Sequence, residues 1–92
     1  MNVTYRIDKD ILYIAVEGRV DASNAAETEE KIFSIKNDNP GKHTVLDADK
    51  LEYISSAGLR VILRLRKEEP KLAIINVASD VYEVFDMTGF TD

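Results

Sequence analysis

The chain has 92 residues, 45% of them hydrophobic, no cysteine, and a formal net charge of −5. That suits one small domain over residues 1–92 with a modest core and little room for a deep substrate cavity; it excludes disulfides and thiolate metal sites, as fits a reducing cytoplasm. The acidic balance argues against nucleic acid as the main partner. No apolar run reaches the roughly 18 residues that span a membrane, and MNVTYRIDKD lacks the apolar centre of a signal peptide.

Residues 3–7, VTYRI, alternate and predict a strand, and residues 11–17, ILYIAVE, predict a second. The polar Asp8-Lys9-Asp10 between them predicts a tight hairpin turn, and Gly18 punctuates the chain after the second strand. Residues 24–36 predict a helix with Ala25, Thr28, Ile32 and Ile35 on one face; Asn24 with Glu27 has capping-box spacing, and Ser23 is a second candidate cap. Residues 37–41, NDNPG, form the clearest loop. A third strand is expected over residues 44–48. A helix is expected from Ala57 to about Glu68, with Leu59, Ile62, Leu63 and Arg66 as its stripe and Pro70 as its stop. KLAIINV, residues 71–77, reads as a buried parallel strand, and Ser79 opens a last helix that closes near Gly89. The order β-β-α-β-α-β-α implies an α/β fold: a small mixed, mostly parallel four-stranded sheet with helices packed on it.

Chemistry is sparse. His43 stands alone in a Gly-Lys turn and reads as a solvated loop residue rather than a metal ligand or a base. There is no GxSxG elbow, no Walker A loop and no GxGxxG, so neither an enzyme nor a cofactor is expected. Asp47 ends a predicted strand, where open α/β sheets bind ligands; it reads equally well as a turn aspartate bonded to nearby backbone amides. Arg60, Arg64, Arg66 and Lys67 read as a solvated helix face, with an acidic partner as the alternative.

Ser55 and Ser56 stand where a strand passes into a helix. One of them caps the helix, and the other is left exposed. Open N–H groups and the positive pole of the helix dipole converge there, so the fold itself would stabilise a phosphate on that serine. The phosphate would add about −1.5 to −2 charges to the surface. A partner docked on that surface would be repelled while the domain stayed folded.

The stretch YISSAGLRVIL resembles the signature of STAS domains, the family of bacterial anti-sigma factor antagonists. Gly18-Arg-Val-Asp21 followed by Ala25 or Ala26 is similar to the family's segment before its first helix. VLDADKLEYI resembles the strand and loop before its phosphorylation site, and Phe85-Asp-Met-Thr-Gly89 its closing element. The resemblance implies a STAS-like fold and a cytoplasmic partner-switching protein without catalysis. Unphosphorylated, such a domain binds a serine kinase that doubles as an anti-sigma factor; phosphorylation on one serine releases it, and a PP2C-type phosphatase resets it. The modified position in the family matches Ser56, with Ser55 as the alternative, and Asp21 and Asp47 match acidic or polar positions near it. The binding surface is expected around Ser56, from Asp21, Ser23, Asp47, Ser55, Gly58 and Arg60.

Two departures from the family stand out. Well-known members carry Asp where this chain has Ser55, and the sequence stops soon after Gly89-Phe90, where the longer C-terminal helix common in the family is either missing or left out. The alternatives are a non-phosphorylated subunit of a transporter or sensory assembly, in which Ser56 is only a cap, and a small-ligand module using the crevice by Asp47.

Overall fold

The computed structural model of the chain describes residues 1–78. β1 (Asn2–Asp8) and β2 (Ile11–Val20) form the expected antiparallel hairpin. Lys9 takes a left-handed conformation (φ 56°) in its two-residue turn, the geometry that matches the twist of the flanking strands. β2 is the trunk of the sheet. Its first half, from Ile11 to Ala15, pairs in parallel with β3 (His43–Asp47), and its second half, Gly18 to Val20, with β4 (Leu51–Ile54). β5 (Ala73–Ile75) lies parallel to β3 on the far side.

The architecture is α/β with a mostly parallel sheet, as the sequence implies, but the sheet has five strands rather than four. The additional strand is β4. Its four residues have the burial pattern of a strand with buried ends and exposed Glu52 and Tyr53 between, a pattern too short for periodicity to reveal.

α1 (Ala25–Asp38) and α2 (Ser56–Glu68) pack side by side on one face of the sheet. The core between them and the sheet is built from Leu12, Ile14, Val16, Val20, Leu46, Leu51 and Ile54 below and Ile32, Leu59, Val61, Ile62 and Leu65 above. α1 buries Ala25, Thr28 and Ile32, as its periodicity predicts. On α2 the buried face runs through Gly58, Leu59, Val61, Ile62 and Leu65, whereas Leu63, expected in the stripe, is 43% exposed. Arg64 is not simply solvated: it reaches across to pair with Glu29 on α1. β5 is shorter than the expected 71–77 and only half-buried, because it is the outer strand of this path. The helix expected after Ser79 lies outside the described residues.

Asn24 occupies the N-cap position of α1, yet its side chain makes no cap bond. Its Oδ1 instead accepts from the Asp21 N–H at 2.9 Å, and its Nδ2 donates to the Arg19 carbonyl. Neither candidate cap behaves as the capping-box spacing suggests: Asn24 fixes the loop that enters the helix, and Ser23 bonds to Asp21.

The other ends of the helices are tied together by Glu69, the C-cap residue of α2. Its Oε1 accepts from the backbone N–H of Thr44 on β3 at 2.8 Å, and Lys36 of α1 lies 3.5 Å from Oε2. Burial pushes the Glu69 pKa up, but the Thr44 N–H and the Lys36 ammonium outweigh it and hold the carboxyl below its ordinary value. A depressed folded-state pKa gives stability that is present above the unfolded value, about 4.3, and is lost as pH falls through the folded value. Glu69→Ala therefore leaves the Thr44 N–H unpaired and costs about 1–3 kcal/mol at neutral pH. Glu69→Gln keeps an acceptor but cannot titrate, so its stability gap to the parent chain should close on acidification. Urea midpoints between pH 3 and 7 check both; a gap that stays constant across that range would remove Glu69 as the source of acid sensitivity.

Candidate functional site

The ends of β2 and β4 meet below the first turn of α2. Val20 pairs with Ile54, and the Ser55 N–H donates to the Val20 carbonyl at 2.9 Å. This bond sets Asp21, the next residue on the β2 side, beside the serine pair.

The two serines divide the work. Ser55 is the N-cap of α2, in an extended conformation, and its Oγ accepts from the Gly58 N–H at 3.3 Å while its carbonyl accepts from Leu59. Ser56 is the first residue of the helix; it is exposed, and its hydroxyl makes no hydrogen bond to another described residue. The N–H groups of Ser56 and Ala57 remain open, as in any first helical turn. No acidic side chain stands in that turn. An anionic group on the Ser56 oxygen would therefore meet N–H donors and the positive end of the helix within that turn, with the Asp21 carboxylate on the neighbouring rim.

Asp21 is the acidic residue of this rim. Its Oδ1 accepts from both the hydroxyl and the N–H of Ser23, at 2.5 and 2.9 Å. These two bonds hold the Asp21 carboxyl below its ordinary pKa, so it is ionised at neutral pH. Ser23 is thus tied to this rim through Asp21. Arg60 is exposed on α2, one turn beyond Ser56.

Two expected members play other parts. The Asp47 carboxylate accepts from the Asp49 N–H and from Asn76 Nδ2, each at 3.0 Å, closing the turn into β4 and tying in the chain just after β5. This is the turn-aspartate reading of Asp47; no hydrogen bond joins it to either serine. The apolar crevice lined by Asp47, Ala48, Gly58 and Ile62 encloses about 10 Å³, barely the space of one water and none for a small ligand. Gly58, placed on the binding surface by the sequence, is buried. A Cβ there would lie 2.6 Å from Ile54 Cγ1 and 2.9 Å from Val20 Cγ1, so the glycine is what lets α2 sit down on the ends of β4 and β2.

The structure also shows a pair that the sequence reading passed over. Arg19 and Tyr53 are cross-strand partners in β2 and β4, with the guanidinium 4.3 Å from the ring centroid. Both are exposed and, because their neighbours Val20 and Ile54 point under α2, both project from the opposite face of the sheet. The signal that would have found them is the pairing of β4 with β2.

The geometry distinguishes the serines in a stability measurement. Ser55→Ala should cost about 1 kcal/mol, whereas Ser56→Ala should change stability by less than about 0.5 kcal/mol; equal losses would mean that the cap is misassigned. Gly58→Ala gains up to about 1 kcal/mol in helix propensity but overpacks against two branched side chains, at about 1–3 kcal/mol. The net effect expected is a lower melting temperature, and an unchanged or raised one would contradict the close approach.

Comparison with known proteins agrees with this geometry. The family model of the STAS domain matches residues 2–92. The chain is 36% identical over 84 residues to BtrV of Bordetella bronchiseptica, a protein named as an anti-sigma factor antagonist, covering 87% of this chain and 72% of that one. The fold matches a crystal structure of an anti-sigma factor antagonist from Mycobacterium paratuberculosis with a TM-score of 0.84 at 19% identity, over 96% of this chain and 77% of that one. It also matches the anti-sigma factor antagonist SpoIIAA, solved in its unphosphorylated form, with a TM-score of 0.72 at 19% identity, over 97% of this chain and 82% of that one. SpoIIAA, a Bacillus cell fate determinant, has been solved in its phosphorylated form as well; there the TM-score is 0.67 at 17% identity, over 98% of this chain and 86% of that one. On the family match and the 36% identity, this chain belongs to the STAS domain family and within it is similar to the anti-sigma factor antagonists.

Proposed function

We propose that the protein is an anti-sigma factor antagonist that works by partner switching in the cytoplasm, as a single domain with no catalysis of its own. The observation that carries this reading is the division between the serines: Ser55 is spent as the cap, and Ser56 stands exposed at the first position of α2. Unmodified, the surface around Ser56 docks a serine kinase that also serves as the anti-sigma factor. The kinase transfers the γ-phosphoryl group of ATP to Ser56 Oγ, the hydroxyl proton leaves, and ADP is released.

The phosphate carries about −1.5 to −2 charges at pH 7. Within the domain it meets open N–H groups and the helix dipole, so the fold tolerates it. Against a docked partner it is a charge to be desolvated without a counter-ion, and the complex dissociates. A PP2C-type phosphatase returns the hydroxyl by hydrolysis. BtrV and SpoIIAA are similar proteins named as anti-sigma factor antagonists, and SpoIIAA exists in a phosphorylated form; both facts support this reading. Among the described residues no helix is long and apolar enough to cross a membrane.

The test is intact-mass and peptide mass spectrometry after incubation with ATP and a candidate serine kinase from the neighbouring genes. One phosphate on Ser56 is the expected result. Phosphate on Ser55 would keep the switch and move the site; no phosphate with a stable complex would make the protein a constitutive subunit. Ser56→Asp should weaken binding to that kinase at least about tenfold while leaving the melting temperature within a few degrees.

A further inference from the structure

Four large hydrophobic side chains among the described residues are strongly exposed: Tyr5, Ile7, Tyr53 and Leu63. Tyr5 and Ile7 lie on the outer strand β1, and Leu63 on the outward side of α2. Of these, Tyr53, 40% exposed, is the nearest to the serines along the chain: it precedes Ser56 by three residues, on the strand that leads into Ser55, whose N–H is bonded to Val20. Its ring is covered on one side by Arg19.

Arg19 differs in its surroundings from two other arginines. Arg64 is tied to Glu29, and Arg6 is stacked on Tyr13 towards the opposite end of the hairpin. Arg19 has no carboxylate within ion-pair distance among the described residues; Asp21, two residues on, already accepts two bonds from Ser23 and feels the Arg19 charge only through space. Stacking fixes the guanidinium plane on the Tyr53 ring but leaves its N–H edge free to donate. Holding both side chains in one place beforehand reduces the ordering cost on binding, and arginine and tyrosine are the residue types that most often anchor interfaces.

The charge of the chain says what should meet this edge. At −5, the protein attracts a surface that is basic on the whole. An arginine held at one point of a chain of net negative charge matches a single acid on such a partner. Complementarity of that kind fixes register and rejects wrong partners more than it adds raw affinity.

We propose that the stacked Arg19–Tyr53 pair is a specificity-determining contact of the kinase interface, in which the Arg19 guanidinium meets a carboxylate of the kinase and Tyr53 holds it in place. This rests on the reading of Ser56 as the centre of that interface. The pair lies on the sheet face away from α2, so the partner must reach from the helix terminus over the ends of β2 and β4 rather than along the helix alone.

The experiment is a titration of the full chain with a purified candidate serine kinase from the neighbouring genes, the one that phosphorylates the parent chain, at low and high salt, together with steady-state phosphorylation. Arg19→Ala and Tyr53→Ala should each raise Kd about tenfold, and the Arg19→Ala effect should shrink at high salt. Arg19→Lys, which keeps the charge but not the planar fork, should recover part of the loss, and Tyr53→Phe, which keeps the ring, most of it. In phosphorylation, Arg19→Ala should raise KM and leave kcat nearly unchanged, because the pair positions the kinase and does not touch the reacting atoms. Wild-type Kd for both alanine variants would overturn the proposal, whatever Ser56 does. Ser56→Asp in the same titration separates the two readings: normal binding by that variant overturns the switch at Ser56, and the alanine variants still decide whether the pair touches the kinase. A parent chain that binds no kinase overturns both.

Discussion

The site depends on one close approach, that of α2 to the ends of two strands. At Gly58 the helix backbone comes so near Ile54 and Val20 that there is no room for a methyl group. Two residues earlier lies Ser56, and three residues earlier the Ser55 N–H is bonded to the Val20 carbonyl. The helix terminus is therefore fixed from below by packing and from the side by a backbone bond. A serine at such a point is presented in one orientation, without a loop that must be ordered before a partner can read it.

The same contact explains why two serines are needed. The first turn of a helix leaves N–H groups that must be satisfied, and Ser55 satisfies one by bonding to Gly58. Had Ser56 carried that duty, its oxygen would be engaged in the fold, and modifying it would remove a cap. With Ser55 as the cap, a change at Ser56 leaves the internal bonds of the domain as they are. On the proposed reading this is why phosphate can alter binding without altering structure: the charge is added where the helix dipole accepts it, and the penalty falls on the interface.

Much of this was legible in the sequence, and the limits have physical causes. The hairpin, α1 and α2 follow from turn chemistry and periodicity, because β2, α1 and α2 each bury one face while Asp8-Lys9-Asp10 marks the turn to β1. The serine site follows from its place just ahead of α2, although sequence alone leaves open which serine caps; that depends on one hydroxyl orientation. β4 was missed because four residues with two buried ends carry no period, and with it went the Arg19–Tyr53 pairing, which exists only across two strands far apart in sequence. Gly58 looked like part of a surface because a motif records identity, not burial. Asp47 was balanced between two readings until its partners, Asp49 and Asn76, were seen; Asn76 is 29 residues away.

The position of Arg19 and Tyr53 bears on how a small acidic domain selects its partner. A phosphate at Ser56 acts on any partner that docks there, because charge and desolvation are indifferent to identity. Switching and selecting are therefore separate problems, and a helix terminus solves only the first. Selection needs features whose match differs from one partner to another, set near enough to the serine to be read in the same encounter. An arginine held flat on a tyrosine, and fixed by the strands that also fix the serine, is such a feature. Its distance from Ser56 is set by the sheet rather than by a flexible side chain, so a partner that satisfies both points must have the right shape as well as the right charge.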